Sequence, residues 1–234
     1  MHSRDFDELA DVASSVPGWL TRDQARVLYD EAAAVPAGGC VVEIGSHHGR
    51  STVVLAAAVA PTARVVAVDP FLEGWRYGGP DTEQALRATL ERAGVTDLVD
   101  VRVATSAEVL AQWDARVDLV YVDGKHDVRS VCHDLRWARF VPTGSHVLVH
   151  DAFSSVGVTL GLLWTLLVGR SLVYLDRTGS LARLRVGRPD PRDRLRPLGQ
   201  LPWWVRNLAV KALLRLRLRR VARWWGHTDD ADPY

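Results

Sequence analysis

Val41-Val42-Glu43-Ile44-Gly45-Ser46-His47-His48-Gly49-Arg50-Ser51-Thr52 is the stretch that decides how this chain folds. An apolar run closes on Glu43 and Gly45, a second glycine follows at Gly49, and Ser51 stands where a helix cap belongs. The stretch reads as a buried strand, a glycine turn and the start of a helix. Glycine lets the backbone turn sharply and approach a ligand closely. The helix N-terminus then offers free N–H groups and a partial positive charge at the strand's end. The spacing Glu-x-Gly-x-x-x-Gly is neither the Gly-x-Gly-x-x-Gly of a dinucleotide site nor a phosphate-binding P-loop.

Working outward, strand and helix patterns alternate. Strands are expected at Cys40–Gly45, Arg64–Asp69, Val99–Ala104, Val117–Val122 and His146–His150, and a closing hairpin at Leu172–Tyr174 and Leu181–Val186 around Thr178-Gly179. Between them lie helices at about 51–60, 82–93, 107–113, 128–140 and 156–168. Apolar strands covered by helices on both faces imply an α/β, Rossmann-like, doubly wound and mostly parallel sheet. Residues 1–37 read as N-terminal helices. Thr21 and Gln24 stand at capping-box positions, with Leu20, Val27, Leu28 and Ala32 as the apolar face.

Composition sets the frame. The 234 residues are 47% hydrophobic and 24% charged, which suits a soluble α/β domain with appendages. Cys40 and Cys132 form neither a metal pattern nor a disulfide framework, so a reducing cytoplasm is the expected compartment. The first residues are acidic and lack the apolar core of a signal peptide. The net charge of +1 hides an asymmetry: residues 188–225 hold 11 Lys and Arg against 2 Asp and Glu, whereas residues 1–187 hold 18 against 23. The run Val156–Gly169 is uncharged but too short to span a bilayer.

In an open α/β sheet, ligands bind outside the carboxyl ends of the strands, and those ends are polar here. The second strand closes on Val68-Asp69-Pro70, with Asp69 24 residues after Gly45. The fourth runs into Val122-Asp123-Gly124-Lys125-His126-Asp127, and the fifth into Val149-His150-Asp151. Glu-x-Gly-x-x-x-Gly, Val-Asp-Pro and Val-Asp-Gly-x-His, in this order, resemble the class I S-adenosylmethionine-dependent methyltransferases. The Asp-Gly-x-His and His-Asp segments are most similar to small bacterial sugar or polysaccharide O-methyltransferases, including the actinobacterial methylmannose polysaccharide type. The resemblance covers residues 38–187, with a helical segment at 1–37 before it and a linker and basic extension at 188–234 after it.

The resemblance implies a seven-stranded sheet whose last strand is antiparallel, and S-adenosylmethionine as cofactor. It assigns cofactor contacts to Glu43, Gly45, Ser46, Gly49, Ser51, Asp69, Ser106 and Asp123, with Asp69 on the ribose diol and Ser106 beside the adenine. Ser106 also fits a helix cap. Methyl transfer to oxygen needs a base for a weakly acidic hydroxyl, which makes His150 and His126 the candidates, with His150 preferred, and Asp123 and Asp151 beside them. Relatives that use a divalent metal carry Asp-Asp where this chain has His150-Asp151. Mg²⁺ held by Asp123 and Asp151, with Asp127 as a further oxygen donor, therefore stands beside a metal-free route. His47 and His48 sit in the glycine turn and are expected to diverge, one toward the ligand and one toward solvent. The loop Phe71–Asp81 reads either as a lid or as plain structure, with Trp75 and Tyr77 to stack and Arg76 to bind a carboxylate.

Beyond Arg188-Pro189-Asp190-Pro191-Arg192, which reads as a linker, Pro202 opens a basic amphipathic run to Trp225. It fits packing on the core, a dimer contact, or peripheral contact of residues 200–225 with an anionic membrane. Nucleic acid is disfavoured because the main domain is acidic. The expected activity is O-methylation of a small-molecule or oligosaccharide hydroxyl by a cytoplasmic homo-oligomer. The alternatives are a natural-product or phenolic acceptor, or a cofactor-binding interaction protein that acts through its C-terminal helix.

Overall fold

A computed structural model of the chain describes residues 6–74 and 78–224. The loop residues Trp75, Arg76 and Tyr77, the first five residues, and Trp225 with the residues after it lie outside the described residues. Helices α1 (Phe6–Ser14) and α2 (Arg22–Ala33) come first. The alternating unit follows as β1 (Cys40–Ile44), α3 (Arg50–Ala58), β2 (Arg64–Val68), α4 (Pro80–Ala93), β3 (Val99–Arg102), α5 (Ser106–Ala111) and β4 (Leu119–Val122). It continues with α6 (Val128–Asp134), a 3-10 stretch (Leu135–Phe140), β5 (His146–Val149) and α7 (Val156–Val168). The chain then forms the hairpin β6 (Leu172–Thr178) and β7 (Leu181–Val186), then α8 (Pro191–Leu195), α9 (Leu201–Arg215) and α10 (Arg219–Trp224).

The seven strands form one sheet in the order β3-β2-β1-β4-β5-β7-β6. The first five are parallel, and β7 runs antiparallel to both β5 and β6. Strand order reverses between β1 and β4, so the crevice at their carboxyl ends is the topological place for a ligand. Strands β1 and β4 are buried along their whole length, because helices cover both faces of the sheet. One layer joins Leu9, Leu28, Val53, Leu55 and Leu86; the opposite layer joins Val42, Val120, Trp137, Leu162 and Tyr174.

The N-terminal helices are structural partners of the central unit. Thr21 caps α2 and Gln24 completes its capping box. The first-layer core takes in α1 and α2 as well as α3, which is why α3 is apolar and buried nearly all round. Arg50 at its start donates to the carbonyl of Gly18 at 2.8 Å.

The C-terminal extension lies against its own core. Asp190 and Asp193 form a capping box, so the expected linker is the start of a helix. The Trp203 ring stacks 3.7 Å from the Arg177 guanidinium carbon, and Val210 is buried. Asn207 donates to the carbonyl of Phe153 at 3.0 Å and Lys211 to that of Ser154 at 2.7 Å. No helix among the described residues is long and apolar enough to cross a membrane.

Candidate active site

The glycine turn after β1 is built around two carboxylates. Glu43 is fully buried, and its two oxygens accept the hydroxyls of Ser51 and Thr52, each at 2.5 Å. Burial pushes its pKa up to about 7 against the pull of those hydroxyls. Ser51 is therefore no cap: Gly49, at φ 88°, stands in the cap position of α3, and the Ser51 hydroxyl is spent on Glu43.

Asp69 lies just past β2 and ties the turn down. Its Oδ2 accepts the backbone N–H groups of Ser46 and His47, and its Oδ1 that of Phe71, all at 3.0 Å. An ionised carboxylate has about four lone-pair sites. Three backbone N–H groups occupy three of them.

Gly45 sits at φ 89°, and a Cβ on it would lie 2.2 Å from the carbonyl oxygen of Asp123. The turn after β1 thus touches the end of β4 through bare backbone. The side chains of His47 and His48 do not diverge as expected. Their rings stack at 3.9 Å between centroids, and the Trp19 ring stacks on His47 at 5.8 Å. A left-handed backbone at His47 (φ 46°) turns its side chain onto its neighbour. Burial holds both imidazoles below their ordinary pKa, and His48 adds to this at His47.

At the carboxyl ends of β4 and β5, two aspartates and two histidines meet. His126 Nε2 lies 3.2 Å from Asp151 Oδ2 and 3.8 Å from Asp123 Oδ1. His150 Nδ1 lies 3.4 Å from Asp123 Oδ1 and 3.5 Å from Asp151 Oδ2. These last two are charge contacts rather than aligned hydrogen bonds, and Nδ1 is buried without a hydrogen-bond partner. Burial opposes charge on His150, but Asp123 and Asp151 outweigh it and hold the pKa well above the ordinary value. The same balance raises His126 more modestly. Burial pushes Asp123 up, yet His150 and His126 outweigh it and keep the carboxylate below its usual value.

The histidines differ in access. The His150 side chain is 3% exposed and that of His126 47%. Gly157 at the start of α7 lets that helix close on the His126 backbone, since a Cβ there would sit 2.2 Å from the His126 carbonyl oxygen. Asp127 is drawn away from the cluster: it caps α6 through the N–H of Ser130 and pairs with Lys125 at 3.2 Å. Ser106 lies within the first turn of α5, where Thr105 is the cap, and its hydroxyl accepts the Trp137 indole N–H at 3.0 Å.

Two members of the site went unread in the sequence. Tyr121 donates its hydroxyl to Asp123 Oδ2 at 3.1 Å; its signal was the two-residue spacing that puts both on one strand face. Gln24 approaches His150 Nε2 through Oε1 at 3.2 Å and donates from Nε2 to Ser180 Oγ at 3.1 Å. Only its capping role was legible, because the contact spans 126 residues.

Backbone strain gathers in the same place. Among the described non-glycine residues, His47, Phe71, Asp151 and Phe153 have positive φ, and all lie in loops at the carboxyl ends of strands; Arg217 is the other such residue. Each costs on the order of 1–3 kcal/mol, a burden typical of ligand-holding loops.

Two groups implied by the resemblance can be tested against these residues. The turn holds a buried polar atom without a hydrogen-bond partner, His48 Nδ1, close to the backbone crossing of Gly45 and Asp123, which suits a polar, aminoacyl-bearing ligand such as S-adenosylmethionine. Asp123, His150 and Asp151 can each direct one donor atom to a common point, these atoms lying within 4.8 Å of one another. One imidazole nitrogen and two carboxylate oxygens suit a borderline divalent cation such as Mn²⁺ better than Mg²⁺.

Comparison with known proteins agrees with the fold. Residues 42–152 match the family model described as a methyltransferase domain. A catechol O-methyltransferase of Mycobacterium tuberculosis is 31% identical over 120 residues, which cover 50% of each chain. The chain thus spans about half the length of that curated relative. Among solved structures, the O-methyltransferase of Bacillus cereus in complex with S-adenosylhomocysteine superposes with a TM-score of 0.59 at 19% identity, covering 77% of this chain and 90% of that one. The O-methyltransferase TomG of Streptomyces achromogenes, involved in tomaymycin synthesis and solved with S-adenosylmethionine, gives 0.59 at 20% identity, covering 81% and 92%. The seven-stranded sheet with its antiparallel last strand is the Rossmann-like methyltransferase fold.

Proposed function

We propose that this chain is an S-adenosylmethionine-dependent O-methyltransferase that acts on a saccharide hydroxyl. The observation that carries the reading is the meeting of Asp123, His126, His150 and Asp151 beside the glycine turn, at the sheet's switch point. Gly45, Ser46 and His48 line the cradle for the aminoacyl end of the cofactor, and Asp69 keeps one acceptor site for a ribose hydroxyl. Glu43, Ser51 and Thr52 lock the turn from beneath without reaching the ligand.

The base is His126 rather than His150. With its Nε2–H directed to Asp151, His126 keeps a lone pair on Nδ1, and its exposure lets an acceptor reach it. His126 takes the hydroxyl proton as the acceptor oxygen attacks the methyl carbon in line, and the bonding pair leaves with the sulfur. A divalent cation on Asp123, His150 and Asp151 would bind and acidify the acceptor's hydroxyls. A carboxylate-backed histidine is most useful to a weakly acidic alcohol, which favours a saccharide. The exposed Trp19 ring above His47 adds a flat face of the kind that stacks on a sugar. The relative named catechol O-methyltransferase favours a second reading, a phenolic acceptor with neighbouring hydroxyls.

Calorimetric titration with S-adenosylmethionine and S-adenosylhomocysteine tests the first step. Both should bind the parent chain, and Asp69→Ala should lose at least tenfold in affinity, about 1.4 kcal/mol. A well-folded parent that binds neither refutes the reading. Transfer of labelled methyl to panels of saccharides and of catechols then decides between the acceptors.

A further inference from the structure

The C-terminal extension carries more than its packing on the core requires. The segment Arg215–Trp224 holds five arginines and no acidic residue, all of it exposed except Ala222. Its apolar side chains Leu216, Leu218, Val221 and Trp224 are 69, 46, 40 and 86% exposed. Helix α7 has no charged residue, and its Trp164 is 63% exposed. Helix α7 is tied at both ends to the helices that precede this segment. Arg194 of α8 donates to the Leu167 carbonyl near the end of α7, and Lys211 of α9 to the Ser154 carbonyl just before its start.

We propose that this arm, Arg215–Trp224 with the outer face of α7, docks the protein on an anionic membrane surface. Charge and apolarity together choose this occupant. Lipid phosphates neutralise the guanidinium groups while the interface takes up the leucines and tryptophans. A nucleic acid would meet the arginines but leave the apolar side chains in water. A second copy related by a two-fold axis would set the nine-charge excess of residues 188–225 against itself. The proposal does not depend on the reaction assigned above. Asn207 and Lys211 of α9, the helix that leads into the arm, hold the carbonyls of Phe153 and Ser154 in the loop that carries Asp151.

The test is sedimentation of the full chain with vesicles. Binding is expected to phosphatidylcholine vesicles containing about 30 mol% phosphatidylglycerol, not to pure phosphatidylcholine, and to fall steeply between about 0.05 and 0.5 M salt. The triple change Arg217→Ala, Arg219→Ala, Arg220→Ala keeps helix-forming residues and should lower the partition coefficient about a hundredfold, near fivefold per arginine. Trp224→Ser should lower it as well, without altering the salt slope. The proposal is overturned if the folded parent fails to bind the anionic vesicles, or if the triple variant binds as the parent does. It is equally overturned if the parent ignores vesicles but forms a dimer that Leu216→Ser dissolves, or binds duplex DNA in their place.

Discussion

Replacing Gly45 by alanine probes the contact on which the site is assembled. The new methyl would lie 2.2 Å from the Asp123 carbonyl oxygen, 2.7 Å from its carbonyl carbon and 3.0 Å from Gly124 Cα, where ordinary contacts begin near 3.4 Å. None of these atoms belongs to a flexible side chain, so the β1 turn and the β4 end must separate by about 1 Å. The left-handed backbone at φ 89° adds about 1–2 kcal/mol for any residue with a Cβ, and overpacking typically adds 1–3 kcal/mol. The sum, roughly 2–5 kcal/mol, corresponds to a melting temperature lower by about 5–15 °C in a chain of this size. Function should suffer more than stability. Asp123 moves away from His150 and His126, and a misplacement of about 1 Å costs on the order of 10²-fold in rate. Thermal unfolding followed by cofactor titration and single-turnover methyl transfer would measure both effects. Should Gly45→Ala melt within 2 °C of the parent, at about the level of ordinary surface changes, and bind cofactor equally well, the inferred crowding between β1 and β4 is wrong.

Other expectations follow from the same geometry. Glu43 has a folded pKa near 7 against an ordinary 4.5, so the folded state binds its proton more tightly than the unfolded chain. Its favourable contribution is complete below about pH 4.5 and is lost as pH rises to about 7, a fall of about 3 kcal/mol. Glu43→Gln should remove that slope in denaturant titrations across the same window. His126→Gln should lower turnover by about 10²–10⁴-fold with cofactor affinity unchanged, whereas a reduced affinity with normal single-turnover rate would count against the base assignment. Asn207→Ala with Lys211→Ala strips two hydrogen bonds from the Phe153–Ser154 loop and should ease local opening of α9 by about 2 kcal/mol. Faster amide exchange in α9 with the sheet unchanged is the expected reading; uniform exchange would show that the helix is held by its tryptophans instead.

Much of this architecture was legible because the forces that set it are local. Continuous Val-rich runs gave the parallel strands, and the uncharged 156–168 run gave α7 with its bounds unchanged. Thr21 and Gln24 gave the start of α2. The misreadings arise where a side chain has a tertiary partner. Ser51 looks like a cap but answers to Glu43, and Ser106 looks like a cap, but Thr105 takes that place and Ser106 receives Trp137. Proline density made residues 188–192 look like a linker, although Asp190 and Asp193 stand at capping-box spacing. Strand β6 runs on to Thr178 past a register irregularity at Tyr174 and Asp176 that the pattern does not reveal. In the site, the polar strand ends were visible as a set, while their pairing was not. His150 and His126 look interchangeable in the sequence, and only the fold buries one and exposes the other.

The buried histidine meets Gln24, which lies outside the methyltransferase-domain match at 42–152. Its Oε1 accepts the Thr21 backbone N–H at 3.0 Å, and its Nε2 donates to Ser180. Reversing the amide would set two donors against each other at Thr21, so the oxygen must face His150. Nε2 of His150 is then the donor, and Nδ1 is the atom turned toward Asp123 and Asp151. In that orientation His150 either carries a proton between the two carboxylates or turns a lone pair toward a cation that they would hold with it. In neither state is a nitrogen free for an acceptor hydroxyl. On the proposed reading, proton removal passes to His126, whose side chain is half exposed. The capping residue of an N-terminal helix thus fixes a tautomer at the end of the fifth strand, and on the proposed reading it thereby leaves the base role to the other histidine.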